Sequence, residues 1–267
     1  MCPTIRRDGS FSQVSRSVTI DVYTLAIDGS TYEASVAVLL GSKVLAERTL
    51  KEDDGASPRA GKGERLMPAI AECLRESKVT REGVERIVCG SGPGSFTSLR
   101  VAASVAKGLA VGYGVDLYAI SSLALTVTGA QPPLPSGEYL SVLDAMRGEF
   151  YAARITKPPR PARTVPPKLD LSRKDGTDFG VAGIDIGPPT ILSRAELDEV
   201  RNHERGIKVI GPGQGIDAHP HARGAGPILD WIVQLGPVDL DSWEPDYGRL
   251  AEAQVRWEAT HGRKLTT

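Results

Sequence analysis

The chain has 267 residues, 40% hydrophobic and 24% charged, with a formal net charge of −1 at pH 7. This composition fits a globular protein with room for two domains of ordinary size, and it excludes a nucleic-acid binder that works through bulk positive charge. The three cysteines, Cys2, Cys73 and Cys89, contain no C-x-x-C pair; they exclude a disulfide framework and a cysteine zinc site and fit a reducing compartment. No apolar run reaches the ~18 residues of a membrane span. Residues 1–18 carry Arg6, Arg7 and Arg16 but no apolar core of a secretory signal. A cytoplasmic protein is expected, with no membrane partner and with residues 1–22 as an unstructured extension.

Thr24 to Asp28 reads as a short strand and Gly29-Ser30-Thr31 as a turn. Ala34 to Leu40 is an apolar run suited to a central strand, Gly41-Ser42 turns the chain, and Lys43 to Leu50 alternates. Together these predict a three-stranded antiparallel meander. Lys51 to Gly63 is polar and glycine-rich, a loop. Glu64 to Ser77 has helical period, with Leu66, Met67, Ile70, Cys73 and Leu74 on one face; Pro68 fits only a first turn or a kink.

The next stretch organises the rest. Ile87 to Gly90 reads as a buried strand, Gly92-Pro93-Gly94 as a sharp turn, and Ser95 as a helix N-cap whose hydroxyl accepts from first-turn N–H groups. Phe96 to Ala110 then forms a helix of ~22 Å. Phe96, Leu99, Ala103, Ala106 and Ala110 make one stripe, and Val101, Ala102, Val105 and Leu109 most of another. Beyond Thr97 and Ser98 in the first turn only Arg100, Ser104 and Lys107 are polar, so this helix is expected to be covered on more than one side: one against its own sheet, the other against a partner. A glycine turn before a helix N-terminus suits a phosphate. The spacing here matches neither G-x-x-x-x-G-K-[ST] nor G-x-G-x-x-G, and close packing at the turn is the stronger reading.

Leu117 to Ser121 is a further strand. The order βββαβαβα is that of a ribonuclease H-like domain of the actin-like ATPase kind, expected over residues 23–128. Gly129 to Gly137, with Pro132, Pro133 and Pro135, marks a boundary. In the second unit, 129–267, Tyr139 to Asp144 and Glu149 to Ile155 form a hairpin across Met146-Arg147-Gly148. Residues 156–180 are a basic, proline-rich surface insertion. Ser193 to Val200 reads as a helix, Ile207 to Ile210 as a strand, Gly226 to Leu235 as a helix, and Arg249 to Thr260 as a final helix. The expected class is α/β, two tandem ribonuclease H-like domains, the second degenerate.

Candidate chemistry is sparse. Asp28 ends the first strand, where an acid in an actin-like kinase orients magnesium and phosphate; an Asx turn closing the hairpin competes with that reading. Gly183-Ile184-Asp185-Ile186-Gly187 repeats the pattern without a neighbouring meander and is taken as a decoy. His219 and His221 lack a third metal ligand nearby, His203 and His261 stand alone, and no G-x-S-x-G occurs. No catalytic residue, metal site or cofactor is assigned.

At Gly92-Pro93-Gly94-Ser95-Phe96-Thr97-Ser98-Leu99-Arg100, with Ala106-Lys107-Gly108-Leu109-Ala110 behind it, the chain resembles the TsaB (YeaZ) family. Further matches are Leu25-Ala26-Ile27-Asp28, Ile120-Ser121-Ser122-Leu123, Asp144-Ala145 with Arg147-Gly148-Glu149-Phe150-Tyr151, Ile191-Leu192-Ser193, and Pro245-x-Tyr247-x-Arg249. Ser98 stands where the family has glycine, and Gly29 where it has threonine. The resemblance implies a non-catalytic dimerisation subunit of the bacterial complex that makes threonylcarbamoyladenosine at position 37 of tRNA. It implies docking on the catalytic subunit, TsaD, through the helices Glu64–Ser77 and Ser95–Ala110, self-pairing through the same surface when alone, and a TsaE ATPase in the assembly. The H-x-x-x-H metal motif of TsaD is absent. On this basis Leu66, Ile70, Leu74, Leu99, Ala103 and Ala106 are the expected docking residues, and Gly92, Pro93, Gly94, Ser95 and Arg100 a structural loop. Contact with tRNA is expected only through the complex. The competing reading is an actin-like small-molecule kinase or ATPase using Asp28.

Overall fold

The computed structural model describes residues 22–51, 62–159, 184–204, 206–248 and 260. Strands β1 (Tyr23–Asp28), β2 (Ala34–Leu40) and β3 (Lys43–Leu50) form the expected meander, with Ala37 opposite both Ala26 and Glu47. Helix α1 (Lys62–Ser77), strand β4 (Val84–Gly90), helix α2 (Phe96–Tyr113), strand β5 (Asp116–Ile120) and helix α3 (Ser122–Thr128) follow. The sheet order is β3-β2-β1-β4-β5, with β4 parallel to both β1 and β5. Helix α2 runs three residues past Ala110 and stops at Gly114, whose left-handed backbone (φ 69°) lets its N–H reach the Ala110 and Val111 carbonyls.

The second sheet contains β6 (Gly137–Asp144), β7 (Glu149–Lys157), β8 (Asp185–Ile186), β9 (Thr190–Ser193), β10 (Lys208–Gly211) and β11 (Ile216–Asp217). Its order is β11-β10-β6-β7, and both β8 and β9 pair with β7. The β6–β7 hairpin turns on Met146, Arg147 and Gly148, all with positive φ (65°, 59° and 78°), and the Met146 N–H donates to Asp144 Oδ1 at 2.8 Å. Helix α4 (Arg194–His203) starts one residue later than expected. Ser193 is its cap: Ser193 Oγ accepts from the Glu196 N–H, and the Ser193 N–H donates to Glu196. The supposed phosphate repeat around Asp185 is a two-residue edge strand with Asp185 exposed.

One helix expectation is corrected. Residues 226–235 are not a single helix but the end of a 3-10 segment, Ala222–Ile228, followed by the short α5, Leu229–Gln234. The reason lies in packing: a Cβ on Gly226 would sit 2.7 Å from the Ser42 carbonyl oxygen and one on Gly224 2.6 Å from Thr128 Oγ1, so contact with the β2–β3 turn and α3 sets this backbone. Pro227 also removes a donor there. The expected extension 1–22 (bar Val22), residues 160–180 of the insertion and the helix 249–260 (bar Thr260) lie outside the described residues.

The fold is thus mixed α/β, two sheets flanked by helices. One apolar cluster lies between the first sheet and α1 and α2. A second joins the two sheets through α3, the 3-10 segment and α5, and a third sits under α4. Among the described residues no helix is long and apolar enough to cross a membrane.

Candidate docking face

The glycine loop is filled by the chain itself. A Cβ on Gly94 would overlap the Ser30 carbonyl, one on Gly92 the Asp246 carbonyl, and one on Gly90 the Asp28 carboxylate. Three of the loop N–H groups are also occupied: Ser91 donates to the Ile120 carbonyl (2.7 Å), Gly92 to Ser122 Oγ (3.1 Å) and Ser95 to the Ser30 carbonyl (2.7 Å). Close backbone approach is therefore what these glycines provide. Ser95 holds the N-cap position with extended backbone, but its hydroxyl makes no cap bond. It meets Ser98 Oγ at 3.1 Å instead, the side chain standing where the family pattern has glycine.

Asp28 is 0% exposed. Its Oδ1 accepts from the Ser30 N–H (3.1 Å) and hydroxyl (2.8 Å), and its Oδ2 from the Ser122 hydroxyl (2.6 Å). Burial pushes its carboxyl above the ordinary range, while the Ser122 and Ser30 hydrogen bonds pull it down. The Asx-turn reading describes this geometry: Asp28 ties the end of β1 to the start of α3, with the Gly90 backbone against it. There is no open side for a phosphate or a metal ion.

The three described histidines, His203, His219 and His221, are likewise held within the chain. His221 is buried, with Nε2 at 3.0 Å from Thr49 Oγ1 and Nδ1 accepting from the Arg223 N–H (3.1 Å), which makes Nε2 the protonated nitrogen. Burial, helped by Arg223, pushes its pKa down to about 3. His219 Nδ1 lies 3.8 Å from Glu33, and His203 bonds the Glu199 carbonyl within α4. Among the described residues no group of three or more His, Cys, Asp or Glu side chains is placed to hold a metal ion.

Helix α2 divides into arcs. Ser98, Leu99, Ala102, Ala103, Ala106 and Ala110 are buried. Val101, Val105 and Leu109 form a half-buried flank of the first core, which α1 shares through Leu66, Ile70 and Leu74. The remaining arc, Thr97, Arg100, Ser104, Gly108, Val111 and Gly112, is exposed. Val111 is 70% exposed, and Cβ atoms added to Gly108 or Gly112 would meet nothing within 4 Å. At the N-terminal end a groove of ≈ 430 Å³ runs across Phe96, Thr97, Arg100, Val101, Ser104 and Val105. The Arg100 guanidinium lies 5.4 Å from the Phe96 ring centroid, and Met67 of α1 is also exposed.

Five of the six docking residues expected from sequence therefore point inward. Leu66, Ile70, Leu99, Ala103 and Ala106 belong to the chain's own interior, with Leu99 at 0% and Ala103 at 5% exposure, and Leu74 is half-buried. The faces available to another molecule carry Gly108, Val111, Gly112 and Met67. Thr97, Arg100 and Ser104 share the exposed arc at i, i+3 and i+7, so the polar residues mark the outer side of α2, and the apolar stripe expected to meet a partner is the opposite, inward side. Gly108, in the helix interior at a cost of ~1 kcal/mol against alanine, and Gly112 in its last turn are a second mark of the outer arc.

The chain is similar to known proteins in both sequence and fold. A family model described as TsaD, tRNA N6-adenosine threonylcarbamoyltransferase, matches residues 40–158. The tRNA threonylcarbamoyladenosine biosynthesis protein TsaB of Bacillus subtilis is 25% identical over 237 residues, 87% of this chain and 96% of that protein. Its namesake in Escherichia coli is 32% identical over 133 residues, 50% of this chain and 54% of that one. The structure of YeaZ from Pseudomonas aeruginosa superposes with a TM-score of 0.61 at 21% identity, over 84% of this chain and 98% of that one, a likeness of fold.

Proposed function

We propose that the chain is a member of the TsaB (YeaZ) family and the non-catalytic subunit that docks on a TsaD-family catalytic subunit, in the cytoplasm, to support threonylcarbamoylation of tRNA adenosine. One observation carries this: α2 keeps an exposed arc with open glycines, while its inner arc is packed and the loop before it is closed. A partner helix can approach α2 closely at Gly108 and Gly112, and α1 with Met67 widens the face. Two such helices can supply the ~800 Å² per partner of a standard interface. Leu66, Ile70, Leu99, Ala103 and Ala106 act as its backing, fixing the helices from behind.

The two sheets are read as tandem ribonuclease H-like units, residues 23–128 and 129–267, the second reduced. A TsaE-type ATPase joins the assembly, tRNA is reached through the complex, and the same face pairs two copies when the chain is alone. The sealed surroundings of Asp28 speak against the kinase reading. Mixing the chain with the TsaD-family protein of the same organism and measuring mass by light scattering tests the proposal. A one-to-one complex, with tRNA modification requiring both chains, supports it. Absence of a complex, with magnesium-dependent ATP turnover by this chain alone that is lost in Asp28→Ala, would replace it with the kinase reading.

A further inference from the structure

Helix α2 presents mostly alanine to its own sheet, with Leu99 the one large side chain on the inner arc. Alanines offer few knobs to key a helix into its support, so its rotation about its own axis depends on its flanks. One flank is shared with α1. On the other, residues 236–248 run from the end of α5 back along the first sheet. The Val238 N–H donates to the Leu117 carbonyl of β5 at 2.8 Å, and Val238, Leu240 and Trp243 pack on the first core. The Asp246 N–H then donates to the Ser91 carbonyl at 2.7 Å, just beyond β4.

This strap touches α2 twice. The Tyr247 ring lies 4.6 Å from the Phe96 ring, centroid to centroid, on the first turn, and Lys107 Nζ lies 5.7 Å from the Trp243 ring centroid about three turns later. Its end is also anchored in the other half of the molecule. The Tyr151 hydroxyl on β7 donates to the Tyr247 carbonyl at 3.2 Å, and Gly248 lies so close to the Tyr151 ring that an added Cβ would overlap it.

We infer that residues 236–248 are a positioning strap: Trp243 and Tyr247 set the rotation of α2, and so decide which residues make up its docking arc, while Tyr151 couples that setting to the second sheet. The Pro245-x-Tyr247 sequence has this as its role. The affinity consequence rests on the docking function proposed above; the consequence for α2 in the free chain does not.

The test uses the full chain in three variants, Tyr247→Ala, Tyr247→Phe and Tyr151→Phe, with two readouts. Amide hydrogen exchange of the free chain reports whether α2 is held, and titration with the TsaD-family partner reports docking. Tyr247→Ala is expected to speed exchange at the helical amides of residues 100–106, leave α1 and the β6–β7 hairpin unchanged, and weaken partner binding by about threefold to tenfold. Tyr247→Phe keeps the ring contact and should behave as wild type. Tyr151→Phe, which removes only the hydroxyl bond from the other half, should give the same changes in smaller measure. Exchange at α2 unchanged in Tyr247→Ala, or raised equally throughout the chain, would overturn the inference. A wild-type chain that binds no partner while α2 still loosens in Tyr247→Ala would instead overturn the docking function and leave the strap standing.

Discussion

Two groups of glycines do opposite work in this chain. At Gly90, Gly92 and Gly94 the space a side chain would take is filled by Asp28, Asp246 and Ser30. At Gly108 and Gly112, only a few turns along the following helix, that space is empty. The first group lets the chain close on itself; the second leaves space at the Cβ positions for something else to approach, although the Gly112 carbonyl already accepts from Arg81. A glycine-rich motif is thus a statement about close approach, and only the neighbours decide whether the approaching atoms are internal or foreign.

The largest expected effect breaks the closed group. Gly90→Ala places a methyl group on the Asp28 carboxylate and should lower stability by about 3 kcal/mol or more, read by urea denaturation. Ala103→Arg belongs in the same class: it forces a charge into the buried arc of α2, so it should lose the fold and not the interface alone. Gly108→Arg sharpens the contrast. It fills the open arc and should weaken partner binding at least about a hundredfold by titration, while leaving urea stability unchanged or up to ~1 kcal/mol higher.

Acid acts on the joint between the halves. His221 titrates at about 3 in the folded chain because burial and Arg223 disfavour its charged form, against ~6.5 when unfolded. The stability this contributes is fully present above the unfolded value and is lost as pH falls from there toward 3, at a slope approaching ~1.4 kcal/mol per pH unit. Asp28, shifted upward by burial, works the other way, its ionised form being the disfavoured one. Stability of His221→Gln measured from pH 7 to 4 should therefore fall less steeply than that of the wild type, even if it starts lower. The smallest effect lies far from either glycine group: Ser193→Ala removes the α4 cap and should cost ~1 kcal/mol without touching partner binding.

Much of this was legible in the residues. β2 and β3 match their expected bounds because Gly41-Ser42 separates an apolar run from an alternating one. The close-packing role of the Gly92-Pro93-Gly94 turn and the Asx turn at Asp28 also followed from local chemistry. Three things did not. The docking arc of α2 was missed although Thr97, Arg100 and Ser104 mark the exposed side, because an apolar stripe through Leu99 and Ala103 suits a sheet as well as it suits a partner. The backbone at Gly224 and Gly226 is set by Thr128 and Ser42, residues far away in sequence. The strap has no period at all, and its meaning lies in partners such as Phe96, Ser91 and Tyr151.

The most direct measurement is light scattering of the wild-type chain and of Gly108→Arg, each mixed with the TsaD-family protein of the same organism, alongside urea denaturation of both chains. The expected result is a one-to-one complex for the wild type and separate species for Gly108→Arg, with the two chains equally stable or the variant slightly more so. A complex that survives Gly108→Arg undiminished would place the partner elsewhere and contradict the assignment of the open arc of α2 as the docking face.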